Sequence, residues 1–178
     1  GLDISSEISG SGGILVKNHN PSSYTVELRG TNVNYSGTFT LTSHSAAWDP
    51  AAGVDGCTTL YLNDGRNLGG AYSGEAAWKA LTVKDHSKVE VRGDVTLDEP
   101  TRGVYVENAA RFIVPEGATF AVDQNITFAG ELKKLGLGKL SLGGTALFVD
   151  GNSSTAPLAG TNRLVVGEGT LKVTSTNA

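Results

Sequence analysis

Asp94, Asp98, Glu99 and Arg102 stand within nine residues, with Glu107 close behind. They occupy the corner between two apolar-alternating runs, Val95–Leu97 and Val104–Val106. Adjacent carboxylates with a guanidinium suit lyase chemistry on an acidic polysaccharide. The acids would hold a divalent cation and the arginine would take the proton. Such a site draws its acids from neighbouring turns of a stacked fold. Around position 112 there is no matching acid, Asp123 being the nearest. The plainer reading is a solvated turn between strands. Trp48 and Trp78 are the second set of candidates. If exposed, their indoles would stack on sugar rings. Burial is the expectation, because an aromatic ring carries a large apolar area.

Other chemistry-bearing residues are scattered. His19, His44 and His86 show no metal-ligand spacing, and Cys57 stands alone, so no metal is expected. Asp85-His86-Ser87 are adjacent and cannot form a triad with one another. Gly136-Leu137-Gly138-Lys139 is followed by leucine and a strand, whereas a phosphate loop needs Ser or Thr and a helix. Gly10-Ser11-Gly12-Gly13 reads as a corner, and Asp64-Gly65 and Asp150-Gly151-Asn152 lack alternating calcium ligands. The acceptor triplets Asn125-Ile126-Thr127 and Asn152-Ser153-Ser154 are read as chance. No catalytic residue and no cofactor is expected. Trp48, Trp78, Asp94, Asp98, Glu99 and Arg102 remain as binding candidates.

Composition agrees with a scaffold. The 178 residues suit one domain or a piece of a longer solenoid. Twenty-four glycines against five prolines favour many tight corners. With 14 basic and 18 acidic side chains the net charge is −4, which argues against nucleic acid or an anionic membrane as main partner. One cysteine excludes a disulfide-stapled fold, and Cys57 reads as a small buried apolar residue. No apolar run approaches the ~18 residues of a membrane helix, and there is no signal peptide pattern. Gly1 in place of Met reads as an expression scar or a processed end, and Thr174–Ala178 follows directly on a strand. The expectation is a single domain over 1–178, excised from a longer exported chain.

The elements that must position these residues are short strands. Leu140-Ser141-Leu142 and Leu171-Lys172-Val173 each alternate apolar and polar and follow a glycine-paced turn. From Leu81 the rhythm is regular: Leu81–Val83, Val89–Val91, Val95–Leu97, Val104–Val106, Phe112–Val114, Phe120–Val122, Ile126–Phe128, Leu140–Leu142 and Leu164–Val166. Val89 to Phe112 is 23 residues, and Phe112 to Leu132 and Phe120 to Leu140 are each 20. Three short strands within such a period match one turn of a parallel β-helix. Val89, Phe112 and Leu132 are expected in one interior file, and Phe120 on Leu140 in another. Ser43 to Gly56 breaks the rhythm as a loop, and Gly69 to Ala80 is the one stretch with helical character, with Ser73 as a cap.

Two segments also carry a resemblance. Gly130, Leu132, Lys134, Gly136, Gly138, Leu140, Leu142 and Gly144, then Gly160, Thr161, Leu164, Val166, Gly169, Thr170, Leu171 and Val173, form one glycine-leucine pattern. A weaker copy runs through Ile8–Ile14, Tyr24–Gly30 and Asn34-Tyr35-Ser36-Gly37-Thr38. The pattern resembles the autotransporter-associated β-strand repeat of bacterial secreted passenger domains, over roughly half the chain. The pattern's Asn-x-Tyr-x-Gly step is missing between Thr145 and Ala159.

The resemblance implies an all-β, right-handed parallel β-helix of roughly six to eight rungs with two excursions. The alternative is an antiparallel β-sandwich, for which the hairpin dipeptides are few. It further implies a non-enzymatic, adhesin-like scaffold, secreted or on the bacterial surface. The expected partners are the rest of its own chain, a surface glycan or protein, and further copies through open strand edges. A carbohydrate-active β-helix and a glycan-binding module are the alternatives.

Overall fold

The computed structural model describes residues 1–19, 22–43, 48–49, 54–55, 57–74, 77–148 and 163–174, with the backbone alone at 48, 49, 54, 55 and 148. His44, the Trp48 indole, the Asp150-Gly151-Asn152 turn and the acceptor triplet at Asn152 lie outside the described residues.

The strands, in chain order, are β1 (Leu2–Ile4), β2 (Ile14–Lys17), β3 (Tyr24–Leu28), β4 (Phe39–Thr42), β5 (Trp48–Asp49), β6 (Val54–Asp55), β7 (Thr58–Leu62), β8 (Leu81–Lys84) and β9 (Ser87–Val91). They continue as β10 (Val95–Leu97), β11 (Val104–Ile113), β12 (Thr119–Val122), β13 (Ile126–Leu135), β14 (Lys139–Leu142), β15 (Ala146–Phe148), β16 (Arg163–Val166) and β17 (Thr170–Val173). The apolar-alternating runs fall on these strands. β15 and the β5–β6 pair were not read from the sequence.

Every strand pairing among the described residues is parallel except that of β5 with β6. The antiparallel sandwich is therefore set aside. The parallel strands form three faces. The first stacks β1, β3, β7, β9 and the C-terminal halves of β11 and β13, then β16. The second stacks β2, β4, β8, the N-terminal halves of β11 and β13, then β15. The third stacks β10, β12, β14 and β17. Because β11 and β13 run through two faces, the first and second join into one curled sheet.

Side chains alternate inward, and the inward ones align. Ile14, Phe39, Leu81, Val104 and Ile126 hold one register position of the second face. Val95, Phe120, Leu140 and Leu171 hold one on the third. Phe112 meets Phe120 edge to face at 5.2 Å across the interior. Each fully buried Val, Leu or Phe contributes about 1.5–3 kcal/mol, so these columns supply most of the stability.

One expected column is corrected. Phe112 does pair with Val89, but its other neighbour is Lys134; Leu132 pairs with Ala110. Lys134 is 0% exposed, and its Nζ donates to the carbonyls of Gly136 and Glu168. The aliphatic stem fills the column while the ammonium ties two successive corners together.

The bends between second and first faces use left-handed backbone. Asp85 (φ 54°), His86 (φ 65°) and Asn108 (φ 58°) adopt it, and Asn and Asp tolerate it better than most side chains. Asn108 Nδ2 donates to Asp85 Oδ1 at 2.7 Å, and Thr42 Oγ1 donates to Asp85 Oδ2 at 2.8 Å. The next residue in register is Gly130, whose Cβ, if it had one, would strike the Asn108 backbone.

The helical character expected over Gly69–Ala80 is present, among its described residues, as a single short turn of 3-10 type, Ala77–Lys79. Ser73 donates from its hydroxyl to Ser36 Oγ. A second 3-10 turn, Gly65–Leu68, forms earlier, capped by Asp64 with Asn67 completing a capping box. Asn63 and Asp64 carry the chain from the end of β7 into this 3-10 turn.

Candidate functional site

Among the described residues the third face has no strand before β10. Its open edge is covered by the Gly65–Leu68 turn; Gly65 lies so close that a Cβ there would strike the Thr96 carbonyl. Asn67 anchors that turn. Its Oδ1 accepts from the amides of Asn63 (2.9 Å) and Asp64 (2.8 Å), and its Nδ2 donates to Gly30 O at 2.9 Å. Asn32 Nδ2 donates to Asn67 O, and Asn32 Oδ1 accepts from Ile8 N at 2.7 Å. Both asparagines are buried, which satisfies loop backbone that no strand ladder reaches.

A four-residue turn covers a strand edge incompletely. A cavity of about 320 Å³ is left, floored by Leu68, Leu81 and Leu97 and walled by Val33 and Gly69–Ala71. Three of the residues singled out above, Asp98, Glu99 and Arg102, line it, with Arg66. Arg66 is paired with Asp64 at 2.8 Å.

Arg102 was expected on a solvated turn, and the structure corrects this. It is 6% exposed. Its Nε donates to Gly70 O (2.5 Å) and its Nη2 to Tyr35 O (2.9 Å), with the guanidinium 5.4 Å from the Tyr35 ring centroid. Its Nη1 is buried without a partner. No ion pair reaches it among the described residues, and burial pushes its pKa down from the ordinary arginine value. Tyr35 is itself buried, its hydroxyl within hydrogen-bond distance of Gly12 O (2.7 Å) and Thr38 O (2.6 Å), and burial pushes its pKa up.

The other candidates separate. Asp94 Oδ1 accepts from Thr119 N at 2.7 Å, so it ties the third face's corner; with Asp64 and Asp98 it borders a second hollow of about 390 Å³. Glu107 pairs with Lys84 at 3.7 Å, away from the cavity. Acids from two successive turns do meet at that hollow, but among the described residues no group of three His, Cys, Asp or Glu side chains is placed to hold a metal. Trp78 was expected buried and is 45% exposed. Its ring meets Tyr105 edge-on at 5.1 Å, and Lys79 Nζ lies 4.4 Å from both ring centroids. His19 is exposed; His86 is half-buried. Cys57 is buried.

Sequence reasoning missed Tyr35, Asn32, Asn67 and Lys134 as structural polar groups. The available signal was an asparagine or tyrosine two residues from a glycine, and a lysine at a strand position of the repeat.

No family model, no curated protein and no solved structure matches this chain.

Proposed function

We propose that the chain is a segment of a right-handed parallel β-helix serving as a non-enzymatic, adhesin-like scaffold outside the bacterial cell, secreted or surface-held. The observation that carries this reading is the set of interior columns that run in register through three parallel faces. Among the described residues the second face holds six strands and the first seven, in keeping with six to eight rungs. A rod of this kind stands a partner off at a distance and is indifferent to most of its outward side chains. Its end strands leave apolar residues open, among them Val166 and Val173 (54% exposed); further turns of its own chain, or a second copy, would cover them.

The lyase alternative fits less well. Its arginine base would have to reach a polysaccharide chain running over the surface, whereas Arg102 lies inside a small cavity and holds two backbone carbonyls. A glycan-binding reading is favoured by one feature, the exposed Trp78 indole supported by Tyr105.

The test is export. The tagged chain is placed between a cleavable signal and an outer-membrane barrel. Antibody labelling of intact cells and a protease-resistant core are expected; retention inside the cell, or rapid digestion, would refute the reading. Incubation with polygalacturonate or alginate should release no unsaturated product. A glycan array should be silent, and a signal that disappears in Trp78→Ala would replace the scaffold by the binding module.

A further inference from the structure

We infer that the cavity beneath the Gly65–Leu68 turn is a binding site for a small monocarboxylate with an apolar body, anchored by Arg102. Two independent features meet there. The first is space of a suitable kind: about 320 Å³, floored by the buried side chains of Leu68, Leu81 and Leu97. Ligand sites are hollows of this size, mostly apolar, with few polar anchors. The second is an unbalanced charge. The Arg102 guanidinium is withdrawn from water, forms no ion pair among the described residues, feels the Glu99 charge only at a distance, and keeps Nη1 without an acceptor. A buried cation that no carboxylate contacts is costly, and a buried donor without a partner adds to that cost. A ligand carboxylate entering the cavity beside the guanidinium would offset the charge.

The neighbouring charges shape the choice. Arg66 is already neutralised by Asp64, so it offers a second anion little. Asp98 and Glu99 line the same cavity and would repel phosphate or a dicarboxylate. One negative charge on an apolar body is what the lining accepts. Arg102 also accounts for the persistence of the cavity. Its bonds to Gly70 O and Tyr35 O hold the wall formed by Gly69–Ala71 against the preceding turn, and Gly69 (φ 118°) has no room for a Cβ beside that guanidinium.

The experiment is a methyl NMR titration of the full chain with benzoate and hexanoate, each against its neutral amide, with inorganic phosphate as a control. Saturable shifts of the Leu68, Leu81 and Leu97 methyls are expected at up to about 10 mM, with the amides at least ~10-fold weaker. Ala71 is exposed on the cavity wall and its side chain makes none of the Arg102 bonds. Ala71→Trp should therefore fold normally and weaken benzoate at least ~10-fold by filling the mouth. Arg102→Gln, where it folds, should remove the preference for acid over amide. Absence of saturable shifts, equal binding of acid and amide, or binding untouched in Ala71→Trp would each overturn the assignment.

Discussion

Lys134 occupies a place where its column neighbours are Phe112 and Val166, and its ammonium decides what that costs. Lys134→Ala removes both the stem and the two carbonyl contacts, and should destabilise the fold by about 2–5 kcal/mol in urea titration. Lys134→Met keeps the volume but leaves Gly136 O and Glu168 O without that donor, a loss of about 1–3 kcal/mol. A methionine variant as stable as the parent would show that the ammonium ties nothing. Burial holds the folded lysine below its ordinary value of 10.5, opposed by Glu168. The unfolded chain therefore binds the proton more readily, and this group's contribution to stability rises with pH from the depressed folded value up to 10.5. That rise should vanish in Lys134→Met. His86 has the same sign lower down: burial, then Arg111, push its pKa below 6.5, against Asp85 and Glu131. Acidification beneath 6.5 should cost the parent stability that His86→Asn retains, since asparagine suits φ 65° and does not titrate. At this scale the candidate site was half legible. Carboxylates and an arginine at a corner drew attention to Asp98, Glu99 and Arg102, but sequence spacing alone did not show Arg102 turned inward. Its partners, Tyr35 O and Gly70 O, lie 67 and 32 residues away.

Corners, more than strands, set the register of the stack. The ten-residue strands β11 and β13 bend between faces at Asn108 and Gly130, which pair with each other. Gly130→Ala forces a methyl into the Asn108 backbone, so it should either destabilise strongly, by more than about 3 kcal/mol, or shift the corner. Gly93 has no positive φ and open space where its Cβ would be, so Gly93→Ala should stay within about 0.5 kcal/mol of the parent. Thermal unfolding of the two variants side by side checks the contrast; equal effects would mean that the corners are soft. These corners also mark the limit of sequence reading for the fold. Period-two alternation located nearly every strand, because only extended backbone turns every second side chain to the same face. The register between strands was less legible. Counting from Phe112 to the apolar Leu132 passed over Lys134, which reads as surface in any hydropathy pattern. β15, Ala146-Leu147-Phe148, has no polar residue between apolar ones and so showed no alternation to read.

For the whole molecule, a stack of this kind bonds each strand only to its predecessor and its successor. Stability is then a sum of neighbour terms, largest where a strand is covered on both sides. β9, β11 and β12 have covered interiors, with Val89, Phe112 and Phe120 all fully buried, whereas Leu2 at one end and Val173 at the other are about half exposed. Amide exchange should therefore be graded along the chain. β1, β2, β16 and β17 should exchange first, and β9, β11 and β12 last, by a factor of at least ~10². Phe120→Ala deletes a ring that packs on Phe112 and lies between Val95 and Leu140. It should cost about 3–5 kcal/mol and accelerate exchange in β10, β12 and β14 well before it reaches β3 or β7. Two sheets packed face to face around one core would behave otherwise, since such a domain opens as a unit and its strands lose protection together. Uniform exchange, unchanged in pattern by Phe120→Ala, would be incompatible with stacking as the source of stability. The gradient also bears on the scaffold reading: only a rod that opens from its ends gains protection at β16 and β17 when further turns, or a second copy, are laid on them.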